Sequence, residues 1–425
     1  MSDTAVMLIR NIAAAASVVL MGVCGIRLLA GLTRVIRGQA PADAMANTKE
    51  RKRFAPWRRL LAVFLLALLS RVLVYLMADL MRRMAGMSGG FLEVLRPLWC
   101  HWDTRHYIAI AENGYVPEGD ERLRLVFFPL MPMLMRLLSP LTGGDVFYAG
   151  LLISLLCSGA AAALLYDLSY LHFGRRAAGL SAAYFLLSPM SVFLNCCYTE
   201  ALFLCLVLAA MCLMRRGRPW LAAICGMGCA LTRMPGVIVS GLMIISLIGK
   251  AAQRRADLRA VLSCAGQVLT VFSGLFIYWA INYAVTGDPL MYLTYQRENW
   301  FQQAGSFWGS VSNTVYYVLT AFGEDDWFFT WGFQLIAMFY VFALLAAGTG
   351  KLPFDLMAYS FVYTAVVLSP TWLLSGARYL YALAPLHILK AVITKRSGLH
   401  ALALGFSGVL LLVFIYAYTI MIRVL

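Results

Sequence analysis

The sequence predicts an all-α protein that crosses a membrane many times. Of its 425 residues, 62% are hydrophobic and 13% are charged, and the mean hydropathy is +0.77. Apolar runs of about twenty residues recur along the chain, and a helix of that length spans roughly 30 Å of hydrocarbon. A soluble fold of this size would carry far more charge and shorter apolar segments.

The apolar runs predict about 11–12 transmembrane segments. They lie at about residues 11–33, 60–80, 146–170, 177–195, 199–214, 220–232, 235–249, 262–285, 327–347, 353–372, 378–393 and 401–422. Two of them, 220–232 and 235–249, are half-length and meet at the sequence TRMPG. A break of this kind inside a membrane is tolerated only where it lines a polar cavity, which makes Arg233 a candidate site residue.

The distribution of charge predicts the orientation of these segments. The basic stretches at residues 38–59, 172–176, 215–218, 250–259 and 390–396 are expected on the cytoplasmic side, where Lys and Arg accumulate. The long stretch 82–145 is then the first extracytoplasmic loop, with short interfacial helices, and most carboxylates fall on the same side. Residues 1–59 are expected to form an extra N-terminal transmembrane helix and a basic cytoplasmic loop, ahead of the main membrane domain at 60–425.

Neither the charge nor the cysteines indicate a nucleic-acid or metal site. The net charge of +15 comes from short loops between apolar runs, so no nucleic-acid partner is expected. Most of the ten cysteines lie inside apolar runs, where cysteine behaves as a small hydrophobic residue. The adjacent Cys196 and Cys197 have no His or Cys partners at zinc-binding spacing. The acidic cluster 324–326 is most simply a solvated loop.

Charged, aromatic and imidazole side chains are concentrated at residues 99–132, between two apolar blocks. Asp103 opens a predicted helix there and is the candidate catalytic carboxylate. The alternative is a purely structural role, with Asp103 capping a helix that ends near Gly114. The candidate substrate contacts beside it are Trp102, Arg105, His106 and Tyr107. Lipid headgroups, a local carbonyl or the usual interfacial enrichment of aromatics would account for these residues equally well.

Five stretches together resemble a known family. The run WDTRHYIAIAENGY followed by FFPLMP resembles the signature of the PIG-V-like mannosyltransferases, relatives of the GPI mannosyltransferase that adds the second mannose. Four further stretches follow in the order of the family: SPMSVFLNCCYTEALF (188–203), ALTRMPG (230–236), GDPLMYLTYQRENW (287–300) and SGARYLYALAPL (375–386). The resemblance covers about residues 60–395. It implies a GT-C glycosyltransferase bundle that uses a polyprenyl-phosphate sugar and acts outside the cytoplasm.

The implied donor sets chemical requirements that the residues can be matched to. Its prenyl tail needs a groove between spans, and its phosphate needs Arg or Lys near the membrane surface. The acceptor hydroxyl needs a base, because an alcohol is a poor nucleophile until its proton is being removed. Asp103 is the predicted base. Direct displacement at the anomeric carbon inverts its configuration, and no second carboxylate is then needed as a nucleophile. No metal and no cofactor are expected.

The remaining candidate contacts lie far from Asp103 in the sequence. They are Glu200, Arg233, Gln296, Trp300 and Arg378. Glu200 is a group that could orient the sugar or a basic side chain, or a first-turn residue favoured by the helix dipole. Arg233 needs a partner inside the membrane, either the donor phosphate or Glu200. Arg378 suits a phosphate, although an arginine that snorkels to lipid headgroups would look the same.

The sequence therefore predicts an inverting mannosyltransferase whose partners are a polyprenyl-phosphate sugar donor, a glycolipid or glycan acceptor and membrane lipids. A GT-C transferase with another sugar or acceptor remains an alternative. So does a transporter or flippase for a lipid-linked sugar, although transporters usually carry broken helices as matched repeats. The outer loops contain no N-x-[ST] acceptor, which favours a bacterial plasma membrane over the endoplasmic reticulum.

Overall fold

The computed structural model describes residues 2–39 and 54–424, which form seventeen α-helices and no sheet beyond one isolated bridge. The helices are α1 (Asp3–Ile36), α2 (Trp57–Met84), α3 (Phe91–Trp99), α4 (Asp103–Asn113), α5 (Leu130–Leu138), α6 (Val146–Leu186), α7 (Glu200–Arg215), α8 (Pro219–Thr232), α9 (Ser240–Ala252), α10 (Leu258–Thr286), α11 (Met291–Asn299), α12 (Phe307–Thr320), α13 (Phe333–Gly348), α14 (Phe354–Val367), α15 (Gly376–Tyr381), α16 (Ala384–Val392) and α17 (Ser397–Thr419). Residues 40–53 of the predicted basic loop lie outside the described residues.

The predicted all-α membrane architecture is confirmed. Seven of the described helical segments are long and apolar enough to cross a membrane, and the number rises to nine if each of two sharply bent helix pairs counts as one span. The predicted 11–12 spans exceed that number because some apolar segments are too short. The stretch 353–372 contains only the fourteen residues of α14. The stretch 378–393 divides into α15 and α16, which are buried among other helices instead of facing lipid.

The helix α6 reverses direction at Gly174, where the backbone has φ of 80°. The hydroxyl oxygens of Ser169 and Ser181 lie 3.0 Å apart, whereas twelve residues of straight helix would separate them by about 18 Å. The break predicted at residues 172–176 is therefore present. The second arm ends at Leu186, well before the predicted end at residue 195, and a 3₁₀ turn (Pro189–Asn195) follows it.

A buried arginine holds the irregular stretch between α6 and α7. Arg71, in the middle of α2, donates from its guanidinium to the carbonyl oxygens of Ser191 and Leu186 at 2.6 and 2.9 Å. The Asn195 amide donates back to the Arg71 carbonyl at 2.8 Å, and Tyr75 donates to the Asn195 carbonyl at the same distance. An unwound segment leaves carbonyls without helical partners, and a buried cation needs acceptors. The guanidinium of Arg71 supplies donors to these carbonyls, and the carbonyls supply acceptors to the guanidinium.

The N-terminal helix α1 packs against α12, α13 and α14. Arg27 donates to the carbonyl of Ala346 at 2.6 Å, near the end of α13. Arg10 donates to the Asn313 side chain at 3.2 Å, and Asn313 in turn donates to the Thr371 carbonyl at 2.6 Å. The helix is thus tied at both ends to the bundle, and one tie reaches the loop that precedes α15.

Replacing Arg71 by Met tests whether this arginine supports the irregular stretch. We expect Arg71→Met to lower the free energy of unfolding by about 2–4 kcal/mol, because buried carbonyls lose their donors. Thermal unfolding of the full-length protein in detergent measures the change. Arg83→Met is the matched control, since Arg83 lies on the same helix with a side chain that is 52% exposed. Equal losses of stability in the two variants would contradict the role given to Arg71.

Candidate active site

Asp103 is the first residue of α4, and its carboxylate points away from the helix that it begins. The N-cap is Trp102, which makes no capping hydrogen bond through its side chain, so the capping alternative for Asp103 is wrong. Instead, Asp103 Oδ2 accepts a hydrogen bond from Arg378 Nη1 at 2.7 Å. Trp102 has φ of 46°, which costs a bulky residue on the order of 1–3 kcal/mol. Strain of this size is typical of functional sites.

Arg378, in the short helix α15, is buried and lies within reach of two carboxylates. Besides Asp103, its Nε lies 3.3 Å from Glu200 Oε1, and its Nη2 donates to Ser375 Oγ at 3.3 Å. Its side chain is only 5% exposed. The alternative in which this arginine reaches lipid headgroups is therefore wrong, and the residue is an internal cation shared by two carboxylates.

Glu200 and Arg233 extend this arrangement into a chain of four charges. Glu200 is the first residue of α7 and is completely buried. Its Oε1 accepts a hydrogen bond from Arg233 Nη2, and Arg233 Nε donates to Thr199 Oγ1 at 2.6 Å. Of the two partners predicted for Arg233, Glu200 is therefore confirmed. We refer to these four side chains as the ionic chain, in the order Asp103, Arg378, Glu200 and Arg233. Their formal charges alternate in sign and sum to zero.

The break that carries Arg233 depends on a close approach of two backbones. Arg233 is extended, with φ of −160° and ψ of 144°, between α8 and the 3₁₀ turn Met234–Val239. A Cβ on Gly236 would lie 2.2 Å from the carbonyl carbon of Cys229. Only glycine allows this 3₁₀ turn to pack directly against α8. With the turn in this position, the Arg233 side chain reaches Glu200.

Aromatic rings cover the faces of both guanidinium groups. Arg378 lies 5.4 Å from the ring centre of Phe193 and 4.9 Å from that of Tyr198. Tyr379 serves both arginines, at 5.5 Å from Arg378 and 5.3 Å from Arg233. Contacts of this kind favour a desolvated cation. Thr199, Tyr379, Phe193 and Tyr198 were missed by the sequence analysis, although all four lie inside its family-like stretches.

A second group of candidate side chains meets around the ring of Phe127. One of them, His106, lies one helical turn after Asp103 in α4. His106 stacks on Phe127 at 4.6 Å between ring centres, and Tyr107 and Trp300 approach the same ring at 5.3 and 6.0 Å. Burial lowers the pKa of His106, so its ring is neutral near pH 7. The structure thus brings His106, Tyr107 and Trp300 together beside the start of α4.

Two of the candidates stay apart from the ionic chain in the described contacts. Arg105 donates from its exposed side chain to the Cys100 carbonyl at 3.1 Å. Gln296 is half-buried in α11, one turn before Trp300. Their substrate contacts remain predictions.

Several buried polar atoms around the ionic chain lack a hydrogen-bond partner among the described residues. They are Glu200 Oε2 and Arg378 Nε within the ionic chain, and His101 Nε2 and Thr104 Oγ1 close to Asp103 in the sequence. Buried polar atoms are costly unless they are paired. The contacts among the described residues therefore leave two polar atoms of the ionic chain without a hydrogen bond.

The fold and the site together define a multi-span helical membrane protein with charged side chains gathered where its helices break. Within that class, the chain belongs to the family described as Mannosyltransferase (PIG-V), whose model matches residues 48–292. The predicted family resemblance is confirmed. Asp103, Glu200 and Arg233 lie inside the matched region, and Gln296, Trp300 and Arg378 lie beyond it.

Curated relatives support the same assignment over part of the chain. The chain is 34% identical over 215 residues to the GPI alpha-1,6-mannosyltransferase 2 of Mus musculus, and 33% identical over 215 residues to that of Homo sapiens. In both cases, the alignment covers 47% of this chain and 43% of the relative. The chain thus spans less than half the length of these relatives.

Solved membrane enzymes have a distantly similar fold. ArnT from Cupriavidus metallidurans, solved with undecaprenyl phosphate, is 16% identical with a TM-score of 0.47, over 74% of this chain and 62% of that one. The oligosaccharyltransferase AglB from Archaeoglobus fulgidus, solved with an inhibitory peptide and a dolichol-phosphate, is 12% identical with a TM-score of 0.43, over 86% of this chain and 56% of that one.

Replacing Gly236 by Ala tests the turn that carries Arg233. We expect Gly236→Ala to lower the melting temperature and the population of correctly folded protein, since the added methyl group would overlap the Cys229 backbone. Gly241→Ala is the control, because a Cβ there meets nothing within 4 Å and alanine favours a helix by up to about 1 kcal/mol. Thermal unfolding gives the melting temperatures of both variants, and their comparison tests this expectation. A Gly236→Ala protein as stable as Gly241→Ala would contradict the described turn.

Proposed function

We propose that the protein is a GT-C-type membrane mannosyltransferase. It transfers mannose from a polyprenyl-phosphate donor to a hydroxyl group of a lipid-linked or envelope glycan acceptor. The observation that carries this proposal is the ionic chain: a partly exposed carboxylate at one end, with two arginines behind it, in a member of a mannosyltransferase family. A base and phosphate-binding cations are the two elements that such a transfer requires.

In the proposed reaction, the acceptor oxygen attacks the anomeric carbon of the donor sugar, and its proton passes to the carboxylate of Asp103. The bond between the anomeric carbon and the phosphate oxygen breaks, and polyprenyl phosphate leaves with that electron pair. One displacement inverts the configuration at the anomeric carbon. Arg378 stabilises the negative charge that grows on the phosphate, and the neutral ring of His106 lies one turn from the base.

An apolar cavity offers a place for the donor's prenyl chain. It has a volume of about 290 Å³ and lies between the 3₁₀ turn Met234–Val239, α9, α10 and α14. Its lining includes Val237, Ile244, Phe272 and Val362. The 3₁₀ turn that lines this cavity begins directly after Arg233. A largely apolar cavity next to this turn favours a lipid-linked donor over a water-soluble one.

The proposed working face is the extracytoplasmic one, in a bacterial plasma membrane. Basic stretches such as 215–218 and 250–259 lie at the opposite ends of the helices from α4, and the excess of Lys and Arg marks the cytoplasmic side. The acceptor would then be an envelope glycan or glycolipid of the bacterium.

Asp103→Asn tests the proposed base. Asparagine keeps the size of the side chain but accepts protons poorly, so we expect transfer to fall at least about 100-fold. The assay incubates purified protein with radiolabelled polyprenyl-phosphomannose and crude acceptor lipids. Glu112→Gln is the control, because Glu112 is an exposed carboxylate on the same helix, and it is expected to retain transfer. Near-normal transfer by Asp103→Asn would remove Asp103 from the mechanism. Passage of donor across vesicles without product would indicate a transporter.

The proposed sidedness is tested by labelling introduced cysteines in intact cells. An impermeant maleimide should label Glu118→Cys directly and Arg218→Cys only after permeabilisation, since both positions are exposed but are predicted on opposite faces. The unaltered protein gives the background from its ten native cysteines. Labelling of both variants, or only of Arg218→Cys, in intact cells would contradict an extracytoplasmic site.

A further inference from the structure

The proposed base is paired with a cation in the structure. Arg378 Nη1 donates to Asp103 Oδ2 at 2.7 Å, so one oxygen of the proposed base is already occupied by the guanidinium. The same contact occupies the donor edge of Arg378 that an incoming phosphate would use. In the unliganded protein, the base and the phosphate site therefore block each other.

The surroundings of Arg378 leave a single place where another anion can bind. Its Nε faces Glu200, its Nη2 donates to Ser375, and aromatic side chains lie over the faces of its guanidinium group. Only the Nη1 edge contacts a group that is accessible from outside, because the Asp103 side chain is 28% exposed. An anion that reaches Arg378 must therefore take the place of Asp103.

The two carboxylates on Arg378 differ in what would follow if each were displaced. Glu200 is wholly buried and is also paired with Arg233, so moving it would leave a buried charge exposed to a low dielectric. Asp103 can remain charged in contact with water when it leaves Arg378. Replacement of a carboxylate on Arg378 by another anion is thus favourable at the Asp103 end of the ionic chain and unfavourable at Glu200.

We propose that the phosphate of the lipid-linked donor replaces Asp103 on Arg378, so that donor binding itself releases the catalytic carboxylate. This inference rests on the function proposed above. Arg378 stays paired throughout, as a buried arginine must. The freed carboxylate no longer contacts the guanidinium, so both of its oxygens are open to the hydroxyl group of the acceptor. When polyprenyl phosphate leaves, Asp103 gives its proton to water and returns to Arg378.

A double-mutant cycle on lipid-phosphate binding tests the exchange. The probe is farnesyl phosphate, titrated calorimetrically into full-length protein in detergent, with no acceptor present. We expect Asp103→Asn to bind it about tenfold more tightly than the unaltered protein, because the competing carboxylate is gone, and Arg378→Gln to bind it at least about tenfold more weakly. In the Arg378→Gln background, Asp103→Asn should change the affinity little. Farnesol, which lacks the phosphate, should show no tightening.

Two results would overturn the exchange. Unchanged affinity in Asp103→Asn would mean that Asp103 does not compete with phosphate. Equal tightening in both backgrounds would mean that Asp103 only repels phosphate and need not leave Arg378. The cycle measures binding without turnover, so it is separate from the transfer assay: an active Asp103→Asn protein would remove Asp103 as the base, whereas the cycle alone decides whether phosphate replaces it on Arg378.

A second measurement on the unaltered protein serves if Arg378→Gln does not fold. A carbodiimide with glycine ethyl ester couples to carboxyl groups that are free of ion pairs, and mass spectrometry reports the modification of Asp103. We expect the modified fraction to rise severalfold when farnesyl phosphate is added and to stay constant with farnesol. No rise with farnesyl phosphate at saturation would overturn the proposal.

Discussion

A buried arginine held between two carboxylates joins distant parts of this protein. Arg378 comes from the six-residue helix α15, Glu200 from the start of α7, and Asp103 from the start of α4. A buried guanidinium is costly unless it is paired, so removal of either carboxylate would leave Arg378 with one partner fewer. The contacts of Arg378 thus connect the starts of α4 and α7 to α15. The irregular stretch that Arg71 holds lies directly before α7.

Much of the fold follows from apolar length, and the places where this reasoning fails have a common cause. Apolar runs identify a membrane helix only when lipid surrounds it. The stretch 378–393 is apolar because it is buried inside the bundle, and hydropathy alone does not distinguish these two environments. The reversal at Gly174 was predictable because basic residues mark it. The end of the same helix at Leu186 was missed, although Ser188-Pro189 follows it and Pro disfavours the helical conformation of the residue before it.

The candidate site was predictable to the extent that charge is rare in this chain. Glu200 and Arg233 are ionisable residues in apolar surroundings, and the need for a partner pointed each to the other. The contact between Asp103 and Arg378 joins residues 275 positions apart, and no local pattern encodes it. Thr199 and Tyr379 are ordinary neutral residues whose importance comes only from the guanidinium groups beside them. Their role required the three-dimensional arrangement.

The attachment of α1 has a consequence for where the working unit of this protein begins. The family match starts at residue 48, which suggests that the first helix is dispensable. Yet the guanidinium of Arg10 holds Asn313, and Asn313 holds the backbone at Thr371, seven residues before Arg378. A shortened polypeptide that began at residue 48 would lose this outer support for the segment that carries Arg378. The contacts that hold the Arg378 segment in place therefore begin before the start of the family match.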